Sequence, residues 1–226
     1  MEYLQSADFW LGLMKIVWIN IILSGDNAVV IALAARSLPP HQQKKAVFWG
    51  SGAAVVLRIL LTVVAAKLLE LSFLQIIGGC LLLWIGFQLL RDEDEEEGES
   101  KTYGSLMAAV RTILLADLVM SLDNVIAVAA AAHGDVLLLV LGLAVSIPLV
   151  IFGSTLMIKL MERFPVIVLL GAALIGWVGG ETIANDAVLH GYAVAHPALH
   201  YVAAALGAAL VVAAGRFWPG REQRPA

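Results

Sequence analysis

Charge is scarce in this sequence. Only 14% of its 226 residues are Asp, Glu, Lys or Arg, against about 25% in an ordinary soluble domain. Hydrophobic residues make up 61%, and the mean hydropathy is +0.89. A chain of this size cannot hide so much apolar surface inside itself, because a small globule still exposes a large share of its residues. A soluble enzyme and a disordered tail are thereby excluded. A basic balance is also missing: the net charge is −4 and the pI about 5.7, so nucleic acid is not an expected partner. Cysteine is nearly absent. Cys80 alone allows no internal disulfide and says nothing about redox compartment. What remains is an integral membrane protein whose first partner is the lipid bilayer.

A spanning helix needs about 20 predominantly apolar residues. Apolar runs bounded by charge, Pro and Gly give seven segments, at about 10–34, 46–69, 73–90, 105–132, 136–158, 165–185 and 198–215. The expected fold is therefore all-α: one transmembrane domain over 1–226, with seven membrane helices and short loops. Glu2 and Asp8 stand where a signal peptide would be basic, so the first segment is expected to remain as a span.

Lysine and arginine set the expected orientation. Eleven of them (Arg36, Lys44, Lys45, Arg91, Lys101, Arg111, Lys159, Arg163, Arg216, Arg221 and Arg224) fall on one side, and only Lys15 and Lys67 on the other. The positive-inside rule then puts the N-terminus outside and the C-terminus in the cytoplasm of a bacterial-type inner membrane. The loop 91–104 falls on the cytoplasmic side. It holds Asp92, Glu93, Asp94, Glu95, Glu96, Glu97 and Glu99, seven of the chain's 18 acidic residues. Like charges this dense repel one another and stay solvated. They form either a flexible linker or a funnel whose field concentrates cations.

The chain also answers itself. Asn20-Ile21-Ile22-Leu23-Ser24-Gly25-Asp26-Asn27 matches Asp117-Leu118-Val119-Met120-Ser121-Leu122-Asp123-Asn124 at an offset of 97. Gly78, Trp84, Gly86 and Gln88 match Gly171, Trp177, Gly179 and Glu181 at an offset of 93. The second and fifth segments match only in apolar texture. Two three-helix units are expected, over about 10–90 and 105–185, with a seventh helix at about 198–215. Three is odd, so the second unit must enter the membrane from the opposite side. Inverted repeats of this kind are typical of secondary transporters, which bind their cargo at the midplane between the halves. Trp84 and Trp177 are expected to pack between the two units.

Asp26 and Asp123 fall near the middle of the first and fourth segments. A carboxylate at the bilayer centre costs roughly 2.5–3.5 kcal/mol on insertion scales. Bearing this cost twice, at matching places, points to a ligand or a counter-charge. At about 100° per residue, Asn20, Ser24 and Asn27 share one helix face, as do Asp117, Ser121 and Asn124. In an ideal helix Asp26 and Asp123 point about 100–120° away from those faces. A break at Gly25 would swing Asp26 onto the polar face and free backbone carbonyls. The second copy has Leu122 there, so a break in it would have to come from packing.

These motifs offer carboxylate, amide and hydroxyl oxygens, and neither His nor Cys. Oxygen-only ligation suits hard divalent ions such as Mg²⁺, Ca²⁺ or Mn²⁺. The bland alternative is helix–helix hydrogen bonding, worth about 0.6 kcal/mol per bond on average. It serves the Ser and Asn residues better than the two Asp. Arg58, mid-span in the second segment, is expected to pair with Asp26 or Asp123, either as a permanent salt bridge or as a counter-charge that yields to an arriving cation. Glu181 and Asp186 either line an exit path or sit at the outer interface. His133, His190, His196 and His200 are expected at or near the outer face.

At these residues the chain resembles the TerC family of membrane proteins, within the lysine-exporter superfamily. The resemblance rests on Leu23-Ser24-Gly25-Asp26-Asn27-Ala28, on Asp117 to Asn124, and on Gly78-Gly79 with Leu83-Trp84-Ile85-Gly86. It implies a seven-helix cation transporter, with members linked to manganese efflux and tellurite resistance. It also implies that Asp26, Asn27, Asp117, Asp123 and Asn124 fall on metal-binding positions. Many relatives carry Glu where this chain has Asn20, so one carboxylate fewer is available here.

The expected function is then divalent cation transport, most specifically manganese export by alternating access in exchange for protons. Asp26 and Asp123 would hold the ion. Asp117, Asn27 and Asn124 would complete the shell, with Asn20, Ser24 and Ser121 as weaker contributors and Arg58 as charge partner. The alternatives are an exporter of amino acids or other small solutes, for which only Arg58 could anchor a carboxylate, and a membrane scaffold in a metal or tellurite stress response. With no nucleophile elbow or zinc motif, no enzymatic activity is expected, and no prosthetic group. Homo-oligomerisation is left open.

Overall fold

The computed structural model describes residues 7–22, 24–68, 71–96, 105–132 and 135–217, with the backbone alone at 7–8, 63–68, 91–96, 123, 126, 129, 190 and 216–217. These residues form α1 (Ala7–Ile22), α2 (Gly25–Arg36), α3 (Pro40–Leu68), α4 (Leu74–Glu96), α5 (Leu106–Ala132), α6 (Val136–Arg163), α7 (Val166–Ala184), α8 (His190–Ala195) and α9 (Ala198–Phe217). Local chemistry accounts for several boundaries. Pro40 opens α3, where its missing N–H costs nothing. Asp135 caps α6 by accepting the Leu138 N–H at 3.0 Å. α6 ends at Arg163, two residues before Pro165.

Four helices are long and apolar enough to cross a membrane among the described residues: α3, α6, α7 and α9. A fifth span results if α1 and α2, bent by 51° at their junction, count as one. The outer surface suits lipid. Trp18 is 65% exposed, Phe152 70% and Met107 73%, an apolar exterior that water would not tolerate at this density.

Small residues set how the helices meet. A Cβ on Gly50 of α3 would lie 2.7 Å from the Ile113 side chain of α5, and one on Gly142 of α6 would lie 2.8 Å from Ile16 Cβ of α1. With Arg58 on Ser121 and Gly12 on Leu138, these contacts make α3 parallel to α5 and α1 parallel to α6. α4 and α7 run antiparallel: Gly86 faces Ile175, and Gly179 faces Leu82. α9 closes against α7, with Gly176 on Gly207 and Gly180 on Ala203. Such close backbone approach is how helices associate where no hydrophobic effect drives them together. α2 lies at the centre, with Asn27 through Ala35 buried.

Two expectations are corrected. Trp84 is 60% exposed and Trp177 38%, so both face outward; it is glycine, Gly79 against Gly179, that fills the α4–α7 seam. The acidic run does not begin as a loop. α4 continues through Asp92–Glu96 to its end at Glu96, since unbranched Glu loses little rotamer freedom in a helix. The rest of that run, Glu97 and Glu99, lies outside the described residues.

Candidate functional site

The first motif sits on a helix break. α1 stops at Ile22 and α2 starts at Gly25, with Ser24 as its N-cap. The Ser24 hydroxyl turns back to donate to the Asn20 carbonyl, and its N–H donates to Ile21 O at 3.3 Å. Asp26 therefore lies in the first turn of α2 rather than mid-helix. One of its carboxylate oxygens accepts the Asn27 N–H at 2.8 Å, beside the positive end of the α2 dipole. The side chain is half-buried and feels the charges on Arg58 and Asp117. The second motif has no such break. With Leu122 at the place of Gly25, α5 runs unbroken from Leu106 to Ala132.

Arg58 ties three helices together at this depth. Its guanidinium donates to Asp117 Oδ1 at 2.5 Å, to Asn20 Oδ1 at 2.8 Å and, through Nε, to Ser121 Oγ at 3.0 Å. Ser121 in turn donates to the other Asp117 oxygen at 3.2 Å. Arg58 is 5% exposed and Asp117 7%, so the pair is shielded from water. A buried pair offsets its desolvation only when the remaining lone pairs and protons are also satisfied. Here Asn20 and Ser121 supply those bonds.

Of the expected site residues, Asn20, Ser24, Asp117 and Ser121 are therefore brought into one hydrogen-bonded chain around Arg58. Asn27 is buried on α2 and Asn124 half-buried on α5. The Asp123 side chain lies outside the described residues, as do those of His133 and His190. The expected pairing of Arg58 with Asp26 is corrected: among the described residues its carboxylate partner is Asp117, and a pairing with Asp123 falls on a side chain outside them. The reason is rotational. Asp117 and Ser121 are one turn apart on α5 and both face α3. Among the described residues, no three His, Cys, Asp or Glu side chains converge.

Asp186 also departs from expectation. It is fully buried, and its carboxylate accepts the backbone N–H groups of Phe73 at 3.2 Å, Gln75 at 3.1 Å, Ile76 at 3.1 Å and Val188 at 2.9 Å. It caps the start of α4 from the far end of α7 and lines no path. Burial by itself would push its carboxyl up, but the four N–H donors outweigh that and hold it below the usual carboxylate range. Phe73, held there with a left-handed φ of 68°, gave no signal in the sequence. Glu181 is exposed and borders a cavity of about 410 Å³ with Trp177, His200 and Tyr201.

With this geometry in hand, similarity to known proteins is informative. A model of the Integral membrane protein TerC family matches residues 5–223. The uncharacterized membrane protein YjbE of Bacillus subtilis (strain 168) is 44% identical over 214 residues, covering 95% of this chain and 98% of that one. The UPF0053 inner membrane proteins YoaE and YgdQ of Escherichia coli (strain K12) are 29% and 24% identical. They match over 84% and 83% of this chain, which spans 40% of YoaE and 86% of YgdQ. No solved structure matches.

Proposed function

The chain belongs to the TerC family of integral membrane proteins, and from that premise we propose that it transports divalent cations, with manganese export as the specific reading. One observation carries the proposal: a buried Arg58–Asp117 pair, with Asn20 and Ser121, inside an apolar bundle beside a broken helix that presents Asp26. Ionisable groups at membrane depth are costly and mark ion pathways. Broken helices serve cations through the carbonyls freed at the end of the half-helix, here those around Ile22. The donors are all oxygen, the chemistry of a hard divalent ion. Arg58 neutralises Asp117 while no cation is bound. An arriving ion would draw Asp117 and Asp26 together and displace the guanidinium; Asp123, Asn27 and Asn124 complete the proposed shell. Proton exchange for the ion belongs to the same proposal.

Seven spans in two inverted three-helix units are also part of this reading. Support comes from contacts that recur under exchange of the units. Ile16 matches Ile113 at the offset of 97, and each seats against a glycine, Gly142 and Gly50. Gly86 and Leu82 match Gly179 and Ile175 at the offset of 93, and each glycine meets the other unit's partner. The positive-inside count puts the N-terminus outside. A solute exporter would need Arg58 free as a carboxylate anchor, and each of its three guanidinium nitrogens already donates within the bundle. The proposal includes no enzymatic step and no prosthetic group.

The test is Mn²⁺ flux into inside-out proteoliposomes, competed by Mg²⁺, Ca²⁺ and Zn²⁺. Wild type is expected to accumulate Mn²⁺, and Asp26→Ala and Asp117→Ala to lose it. Undiminished flux in both variants would end the proposal.

A further inference from the structure

The two units are related in sequence but not in how they are filled. The recurring glycine contacts place Gly50 opposite Gly142, an offset of 92 between α3 and α6. A second pair follows the same offset: Thr62 donates to Arg58 O at 2.7 Å, and Ser154 to Val150 O at 2.8 Å. With α1–α2 matched to α5 at 97, every position on one side acquires a counterpart on the other.

On one side, Leu57 and Leu61 of α3 pack with Leu118 and Val125 of α5 into a closed apolar cluster. Their counterparts are Leu149, Gly153, Ile21 and Ala28. Those residues, with Ser24 and Ser146, line a cavity of about 210 Å³ between α2 and α6. Leu61 has become Gly153, Val125 has become Ala28, and Leu122 has become Gly25, whose Cα faces open space. Arg58 has become Val150 and Asp117 has become Asn20, so the buried ion pair stands on the plug side alone. The hollow ends at Ser24, one hydrogen bond from Asn20 and so from Arg58.

We propose that the α2–α6 hollow is the cation's vestibule and that Leu57, Leu61, Leu118 and Val125, with Arg58, form the closed gate on the opposite side of the site. This rests on the transport reading above. From Ile21 and Leu149 at mid-span, the hollow extends along α2 and α6 in the direction of Arg36 and Arg163 as far as Ala28 and Gly153, whereas from Leu118 and Leu57 the plug extends along α5 and α3 in the direction of their opposite ends. With the positive-inside orientation, the vestibule opens to the cytoplasm and the gate bars the outside, the resting arrangement an exporter needs.

Cys80, the chain's single cysteine, makes the test clean. In a Cys80→Ser background, Gly25→Cys and Gly153→Cys are expected to react with a membrane-impermeant maleimide in inside-out vesicles. Leu61→Cys and Val125→Cys are expected to stay unlabelled in right-side-out vesicles. Equal labelling at both places, or reaction at Gly153→Cys only with a lipid-soluble reagent, would overturn the proposal; the second result makes the hollow a lipid-facing groove. Filling the hollow with Val150→Arg or Gly153→Leu is expected to abolish Mn²⁺ flux while the purified variant keeps its thermal unfolding transition, and retained flux in both folded variants would also overturn it. One-sided labelling in a protein that carries no Mn²⁺ overturns the cation cargo instead. Asp117-dependent flux without one-sided labelling overturns the vestibule alone.

Discussion

Removing Arg58 alone strands the Asp117 carboxylate in an apolar bundle. Loss of one partner of a buried pair costs about 3–5 kcal/mol, whereas replacing both by apolar side chains is often close to neutral. Arg58→Met is therefore expected to lower thermal stability in detergent strongly, and Arg58→Met with Asp117→Leu to recover most of it. Additive losses in that double-mutant cycle would show that the 2.5 Å contact carries no coupling. The recovered double variant is still expected to fail in Mn²⁺ flux, which separates holding the fold from moving the ion. At this scale the sequence was legible where spacing decides. Asn20 with Ser24 and Asp117 with Ser121 are four apart and share faces, as the structure has them. The partner of Arg58 was not legible, because it depends on how α3 and α5 are rotated against each other.

Between elements, Asp186 joins α7 to α4 by accepting backbone N–H groups. Its stabilisation has a pH signature. A carboxyl held below its ordinary value contributes stability that is fully present above the unfolded value of about 3.9 and is lost as pH falls through the folded one. Asp186→Asn is expected to unfold at lower temperature than wild type near neutral pH, with the difference shrinking as pH drops below about 4. A gap that does not change with pH would mean the charge is immaterial to the cap. Glycines join the other pairs of helices. A Cβ at Gly176 would lie 2.6 Å from the Gly207 carbonyl, while one at Gly52 meets nothing within 4 Å. Gly176→Ala is thus expected to push α9 off α7 and destabilise. Gly52→Ala is expected to stabilise by about 0.5–1 kcal/mol, by relieving glycine's backbone entropy within a helix. Melting temperatures of the two variants decide this. The break at Gly25 could be foreseen from composition; the extension of α4 through five acidic residues could not, since charge density argued for a loop and helix propensity prevailed.

Across the whole molecule, the sequence by itself determined the environment and the alphabet of the site. Scarce charge required lipid, and the polar residues standing out within the apolar segments were Asn20, Ser24, Asp26, Asn27, Arg58, Asp117, Ser121, Asp123 and Asn124. Those conclusions follow from transfer free energies, which act residue by residue whatever the fold. Only the tertiary structure decided which of these groups meet. It put Arg58 on Asp117, turned Trp84 outward and seated Gly50 of α3 against Ile113 and Gly142 of α6 against Ile16. It also packed Leu57, Leu61, Leu118 and Val125 into one cluster and left a cavity lined by Gly25, Ala28 and Gly153. The physical reason is that contacts between helices depend on rotation and close approach, and hydropathy carries no record of either.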